Sequence, residues 1–228
     1  MININHVSKK YGNTVALNDV TLSLPKGKII GLCGPNGSGK TTLIKILMGL
    51  ISDYQGEVAI NNYPVSKESK LSISYLPDVN YLDPKTTGVK TRALFEDMYS
   101  NFDGERFDSL LKQLKLDSKQ RFATMSKGMK EKFQLALVMA RRADVYLLDE
   151  PIGGVDPAAR ELILNTILDN YNPESLVVLS THLIGDIEQI FDQVIFLKDG
   201  EINIYEDVET LREQHGLSID GLFREVFR

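Results

Sequence analysis

The chain has 228 residues, 43% of them hydrophobic and 25% charged, with a formal net charge of −5. That length supports a sizeable core, and the acidic balance argues against non-specific nucleic-acid binding, which rewards a basic surface. The lone cysteine, Cys33, excludes an intrachain disulfide, fits a reducing compartment and has the apolar flanks of a buried strand end. No apolar run approaches the roughly 18 residues that span a bilayer. Met1 to His6 lacks the basic and apolar regions of a signal peptide, so any membrane role is expected to be peripheral.

In chain order, Val20, Leu22 and Leu24 alternate at period two, as in a small sheet, and Pro25-Lys26-Gly27 turns into an apolar strand over 28–33. A helix follows, patterned by Leu43, Ile44, Ile46, Leu47 and Leu50. Residues 56–61 and 71–76 read as further strands. From 83 to 142 the period becomes helical, with Phe107, Leu110, Leu111 and Leu114 on one stripe and a buried helix over 128–142. The α/β alternation then resumes. The expected elements are a strand over 145–148, a helix opened by Asp156-Pro157, a strand over 176–180, a helix over 183–191 and a strand over 193–197. Lys198-Asp199-Gly200 makes a hairpin into 201–205. This pattern predicts an α/β fold: a mostly parallel sheet with helices on both faces, an N-terminal antiparallel β subdomain and an inserted helical subdomain. The expected division is one domain over 1–228, with the core in 1–82 and 143–228 and the insertion in 83–142.

Between the strand and the first helix, residues 34–41 read Gly-Pro-Asn-Gly-Ser-Gly-Lys-Thr, a full match to the phosphate-loop pattern G-x-x-x-x-G-K-[ST]. The glycines let backbone N–H groups close around polyphosphate, and the helix N-terminus adds positive partial charge. Gly34, Asn36, Gly37, Ser38, Gly39, Lys40, Thr41 and Thr42 form the expected nucleotide cradle. Lys40 reaches the β- and γ-phosphates and the Thr41 hydroxyl takes a place on Mg²⁺. The second signal is the apolar strand ending in Asp149-Glu150-Pro151. Asp149 falls at the sheet's carboxyl edge, where it can hold Mg²⁺ or its waters beside Thr41, and Glu150 is placed to act as general base on a water.

On these residues the chain resembles the nucleotide-binding subunits of ATP-binding-cassette (ABC) transporters, a family similar to other P-loop NTPases, over nearly its whole length. The family's signature, ideally Leu-Ser-Gly-Gly-Gln, is matched by Met125-Ser126-Lys127-Gly128-Met129. The resemblance implies that Ser126 and Gly128 cap the γ-phosphate of a partner's ATP across a dimer. It further implies that His182 is the switch histidine on that phosphate, with Lys40 and Glu150 the other catalytic groups. Tyr11 would stack on adenine, though it could equally be an edge-strand packing residue. Asp156 would lie in the loop that senses the opposite site, though a helix N-cap explains it too. Four positions depart from the pattern. Asp78 follows Tyr75-Leu76-Pro77 where glutamine is usual, as a third candidate oxygen for Mg²⁺; Lys127 and Met129 replace Gly and Gln; and Gly153 replaces Ser.

The implied function is a Mg²⁺-dependent ATPase that powers transport, two cassettes enclosing two ATP molecules as a homodimer or heterodimer. A separate transmembrane permease would dock in a groove that Phe95, Met98, Tyr99 and Phe102 either line or underlie as subdomain core. The subunit would be cytoplasmic, peripheral on the inner face of the cell membrane, and without a nucleic-acid partner. Asp78 and the lack of a regulatory domain after residue 228 favour export over import. Non-transport relatives acting on DNA or ribosomes usually carry long coiled-coil insertions, tandem duplications or basic linkers, whereas the stretch from Lys40 to Asp149 is too short for a long coiled coil and the charge is acidic. The segment 218–227 places Leu222, Phe223, Val226 and Phe227 on one helical face. That face would pack on the cassette itself or its sister, because the polar side lacks the basic cluster of a membrane-surface helix.

Overall fold

Period-two burial organises the start of the chain. The computed structural model describes residues 1–227. In it β1 (Ile2–Tyr11) and β2 (Thr14–Leu24) pair antiparallel, and Ile2, Ile4, Val20, Leu22 and Leu24 are buried on one face. The chain then enters β3 (Ile29–Cys33) and α1 (Lys40–Leu47). It returns through β4 (Gln55–Ile60) and β5 (Tyr63–Pro64), which complete a four-stranded sheet of order β2-β1-β4-β5.

A second sheet carries the centre of the molecule. β3 joins β6 (Ile73–Leu76), β7 (Val145–Asp149), β8 (Leu176–Thr181), β9 (Gln193–Lys198) and β10 (Glu201–Asp207) in the order β10-β9-β3-β8-β7-β6. All neighbours are parallel except the hairpin pair β9 and β10. Every residue of β3, β7 and β8 is buried, as a parallel sheet covered on both faces requires. Alternation still sorts their side chains. Ile30, Leu32, Val145, Leu147 and Val178 pack toward α1 and the first sheet, while Tyr146, Leu148, Val177 and Leu179 pack toward the other helices.

Those helices are α3 (Gly88–Met98), α4 (Gly104–Gln113), α5 (Lys127–Met139) and α6 (Pro157–Asn170), preceded by the short α2 (Lys67–Leu71). Thr87, Asp103, Ser126 and Asp156 each cap a helix by accepting a backbone N–H of its first turn. The stripe of Phe107, Leu110, Leu111 and Leu114 is buried, with Phe107 edge-on to Phe133 of α5 at 5.7 Å between ring centroids. The chain closes with α7 (Val208–His215) and α8 (Ile219–Val226). Phe223 and Phe227 lie 5.4 Å and 5.9 Å from Phe196 of β9, so this apolar face packs on the chain itself.

Several elements differ from the sequence reading. The helix expected over 183–191 is two separate 3₁₀ turns, Ile184–Asp186 and Glu188–Ile190. Ile184, Ile187 and Ile190 recur at period three, which a 3₁₀ turn stacks on one side, and Gly185 weakens an α-helix there. α5 ends at Met139, not 142, because Arg141 turns inward onto the carbonyls of Ile73 and Leu71. The strand expected over 71–76 starts at Ile73, since Leu71 ends α2. Of the four expected groove or core residues, Phe102 is core and Phe95 and Tyr99 are half-buried, but Met98 is 54% exposed at the end of α3.

Candidate functional site

The carboxyl ends of β3, β7 and β8 share one edge, because Cys33 pairs with Thr181 and Asp149 with Ser180. Three loops therefore leave the sheet together. The first is the phosphate loop. Gly39 adopts φ +111°, and a Cβ there would meet the Ala16 carbonyl at 2.4 Å, so only glycine fits. No side chain caps the α1 N-terminus, which leaves its first-turn amides directed into the loop. Lys40 is buried, and its Nζ donates to the carbonyls of Gly34 at 2.8 Å and Pro35 at 3.1 Å. Ser38 is buried with its Oγ unpartnered among the described residues. A concave ring of amides, one ammonium and a spare hydroxyl is suited to polyphosphate.

The second loop carries the carboxylate pair. Asp149 is 1% exposed, and its Oδ1 accepts hydrogen bonds from Ser180 Oγ at 2.6 Å and Thr41 Oγ1 at 3.3 Å, while Oδ2 has no partner. Burial holds its pKa above the usual carboxylate range; the two hydroxyls oppose that shift and the charges of Asp78 and Glu150 add to it. Glu150 stands in the left-handed region at φ +50°, a conformation costing a non-glycine residue about 1 kcal/mol or more. Its N–H is shared between Ser180 Oγ at 3.0 Å and the Ser180 carbonyl at 3.2 Å, and its carbonyl accepts from Gly153 N at 2.9 Å. The twist sends its carboxylate away from Asp149. Oε2 accepts from His182 Nδ1 at 2.9 Å, and Oε1 lies 3.6 Å from Lys40 Nζ. His182 supplies the third loop.

The described residues contain no cluster of three or more His, Cys, Asp or Glu side chains able to cage a metal alone. What they offer is one free, buried Asp149 oxygen beside the Thr41 hydroxyl at a helix N-terminus. That donor set fits Mg²⁺, which takes one or two protein oxygens and fills its shell with phosphates and water.

Asp78, exposed after Pro77, lines a cavity of about 70 Å³ with Asp149, Glu150, Lys127, Glu131 and Gln134. Gln134 of α5 ties that loop down, accepting from Tyr81 N at 3.3 Å and donating to Asn80 Oδ1 at 3.1 Å. Burial raises the Glu131 pKa, with Lys127 3.8 Å away opposing the shift. Thr42 is half-buried in the first turn of α1. Ser126 caps α5 by accepting from Met129 N at 3.3 Å, and Gly128 faces open space. Asp156 caps α6 by accepting from Ala159 N at 3.0 Å. Tyr11 is 49% exposed, with Lys9 Nζ 4.9 Å from its ring centre. Thus Lys40, Thr41, Asp149, Glu150 and His182 converge. Among the described residues no hydrogen bond joins Tyr11, Ser126, Gly128 or Asp156 to them.

Sequence reasoning missed Ser180, whose hydroxyl bonds the Asp149 carboxylate and the Glu150 backbone N–H. Its one signal is a serine ending an apolar strand two residues before His182.

Residues 17–153 match the family model described as ABC transporter. The chain is 28% identical over 218 residues to the ABC transporter ATP-binding protein YtrB of Bacillus subtilis, covering 94% of this chain and 75% of that one. It is 30% identical over 203 residues to the Nod factor export ATP-binding protein I of Bradyrhizobium diazoefficiens, covering 85% and 66%. Among solved structures, the ATP-binding subunit of an ABC transporter superposes with a TM-score of 0.89 and 26% identity over 100% of both chains. A bacterial ABC transporter cassette solved as a dimer gives 0.79 and 26%, covering 91% of this chain and 98% of that one. With more than half of the chain matched by one family model and its fold shared end to end, the chain belongs to the ATP-binding subunits of ABC transporters.

Proposed function

We propose that this subunit is a Mg²⁺-dependent ATPase of the exporter type, working as a pair of cassettes beneath a separate transmembrane protein. The observation that carries the hydrolytic reading is the Glu150 carboxylate, held between the His182 imidazole at 2.9 Å and the Lys40 ammonium at 3.6 Å. In this reading Glu150 takes the proton of the attacking water, His182 orients Glu150 and contacts the γ-phosphate, and Lys40 offsets charge on the β- and γ-phosphates. Asp149 and Thr41 hold the magnesium ion, with Asp78 a third oxygen nearby. That ion, when bound, neutralises phosphate charge. Tyr11 stacks on adenine, and Ser126, Gly128 and Asp156 serve the nucleotide of the opposite cassette, where their present freedom from the Glu150 cluster leaves them available.

The division into a core of 1–82 and 143–228 and a helical block of 83–142 is part of the proposal. A cavity of about 490 Å³ is lined by Leu71, Tyr75, Tyr81, Phe95, Tyr99 and Arg141. Its aromatic lining supports docking of the transmembrane partner there. Among the described residues no helix is long and apolar enough to cross a membrane, which supports a peripheral cytoplasmic subunit with its channel supplied by another chain. The name of the Nod factor relative and the acid at Asp78 support export.

The test is steady-state ATP hydrolysis across a Mg²⁺ titration, with co-purification of the membrane protein encoded next door. Absence of hydrolysis removes the enzymatic half, and hydrolysis that ignores divalent metal removes its Mg²⁺ dependence. A neighbouring membrane protein that drives uptake removes the exporter half.

A further inference from the structure

We infer that Ser180 is the positioning residue that assigns the two adjacent carboxylates their separate roles, fixing Asp149 for the metal and turning Glu150 toward water; this rests on the magnesium–ATP reading above. A serine hydroxyl has one proton to give. Ser180 gives it to Asp149 Oδ1 at 2.6 Å and accepts the Glu150 N–H at 3.0 Å. The two neighbours make opposite demands, so together they fix the hydroxyl in one orientation.

The consequence for Asp149 is that Oδ1 is committed to the hydroxyls of Ser180 and Thr41, which leaves Oδ2 alone to face a ligand. The consequence for Glu150 is an anchor for its left-handed backbone at φ +50°, the twist that swings its side chain to His182. Parallel pairing of β7 and β8 sets Asp149 beside Ser180, and Ser180 is 0% exposed, so solvent does not replace its hydroxyl. Groups behind a metal ligand that orient it commonly change metal affinity by about 10- to 100-fold when removed.

Ser180→Ala deletes the hydroxyl but keeps the Ser180 carbonyl that also accepts from Glu150 N. Ser180→Thr keeps the hydroxyl, and Ser180→Cys replaces it with a weaker donor. Mn²⁺, a spin-active substitute for Mg²⁺, is titrated into the full chain with a non-hydrolysable ATP analogue and followed by electron paramagnetic resonance. A fluorescent ATP analogue in EDTA reads metal-free nucleotide affinity.

In Ser180→Ala, Mn²⁺ affinity should fall at least about 10-fold while metal-free nucleotide affinity stays within about two-fold. Ser180→Thr should match wild type, and Ser180→Cys should lie between. Wild-type Mn²⁺ affinity in Ser180→Ala overturns the inference, as does an equal loss of metal-free nucleotide affinity, which would mark a merely structural role. If Ser180→Ala fails to fold, wild-type Mn²⁺ affinity in Ser180→Cys overturns it instead. A wild-type protein that binds the analogue but no Mn²⁺ removes the magnesium–ATP reading itself and the Ser180 role with it.

Discussion

His182 Nδ1 lies 2.9 Å from Glu150 Oε2, joining the loops after β8 and β7 across the mouth of the phosphate cradle. An imidazole N–H on one carboxylate oxygen fixes the orientation of the carboxylate, whose other oxygen lies 3.6 Å from Lys40 Nζ, as a second group orients the base in many hydrolases. Glu150→Gln keeps the shape and the contact but loses basicity. It should slow hydrolysis by about 10²-fold or more, with ATP affinity unchanged. With Mg²⁺ and ATP it should also accumulate as a dimer by light scattering, because in the proposed cycle reopening follows hydrolysis. Normal turnover in this variant would transfer the base role to His182.

Lys40 places its ammonium inside the loop, on the carbonyls of Gly34 and Pro35. That ammonium is largely desolvated, so its loss is not made good by solvent. Lys40→Ala should abolish binding of a fluorescent ATP analogue in equilibrium titration while leaving the melting temperature within a few degrees. Retained affinity would remove the phosphate-loop assignment.

The loop, the Asp149 strand and the helix cap at Asp156 were legible in the sequence because each is local. A glycine pattern, an apolar run ending in acid and an Asp before a helix need no knowledge of distant residues. Ser180 was not legible. Its role depends on the parallel register that pairs it with Asp149, 31 residues away. The left-handed backbone of Glu150 was hidden for the same reason, since it is held from β8. The stretch from Ile184 to Ile190 misled because three apolar residues at period three fit a loose helical pattern as well as a pair of 3₁₀ turns.

As a metal ligand in the proposed reading, Asp149 would set metal binding against stability. Its folded pKa is raised above the unfolded value by burial, so the folded state is penalised for carrying the charge. Below the unfolded value of about 3.9 both states are protonated and the penalty is absent. As pH rises through the folded pKa the penalty reaches its full size, and the native protein loses that stability. Asp149→Asn, still an acceptor for Ser180 and Thr41, should therefore raise the melting temperature of the metal-free protein at neutral pH. The gain should vanish toward strongly acid pH. Melting curves in EDTA across pH check this, and a pH-independent difference would mean that packing, not charge, separates the two.

Asp78 is the departure with the most specific consequence. It shares a small cavity with Asp149, Glu150 and Glu131, and the loop that carries it is fastened to α5 through Asn80 and Gln134. An acceptor oxygen at that place can hold Mg²⁺ or its water and report its presence to the helical block through α5. Asp78→Ala should then weaken the Mg²⁺ dependence of hydrolysis and coupled transport more than it weakens ATP binding. Asp78→Gln should retain much of the activity, because an amide oxygen can take the same place, and it would also remove one of the charges that raise the Asp149 pKa. Steady-state hydrolysis over a Mg²⁺ titration, with and without the membrane partner, separates a metal role from a turn residue after Pro77. If Asp78→Ala matches wild type in both settings, Asp78 is only the turn residue after Pro77.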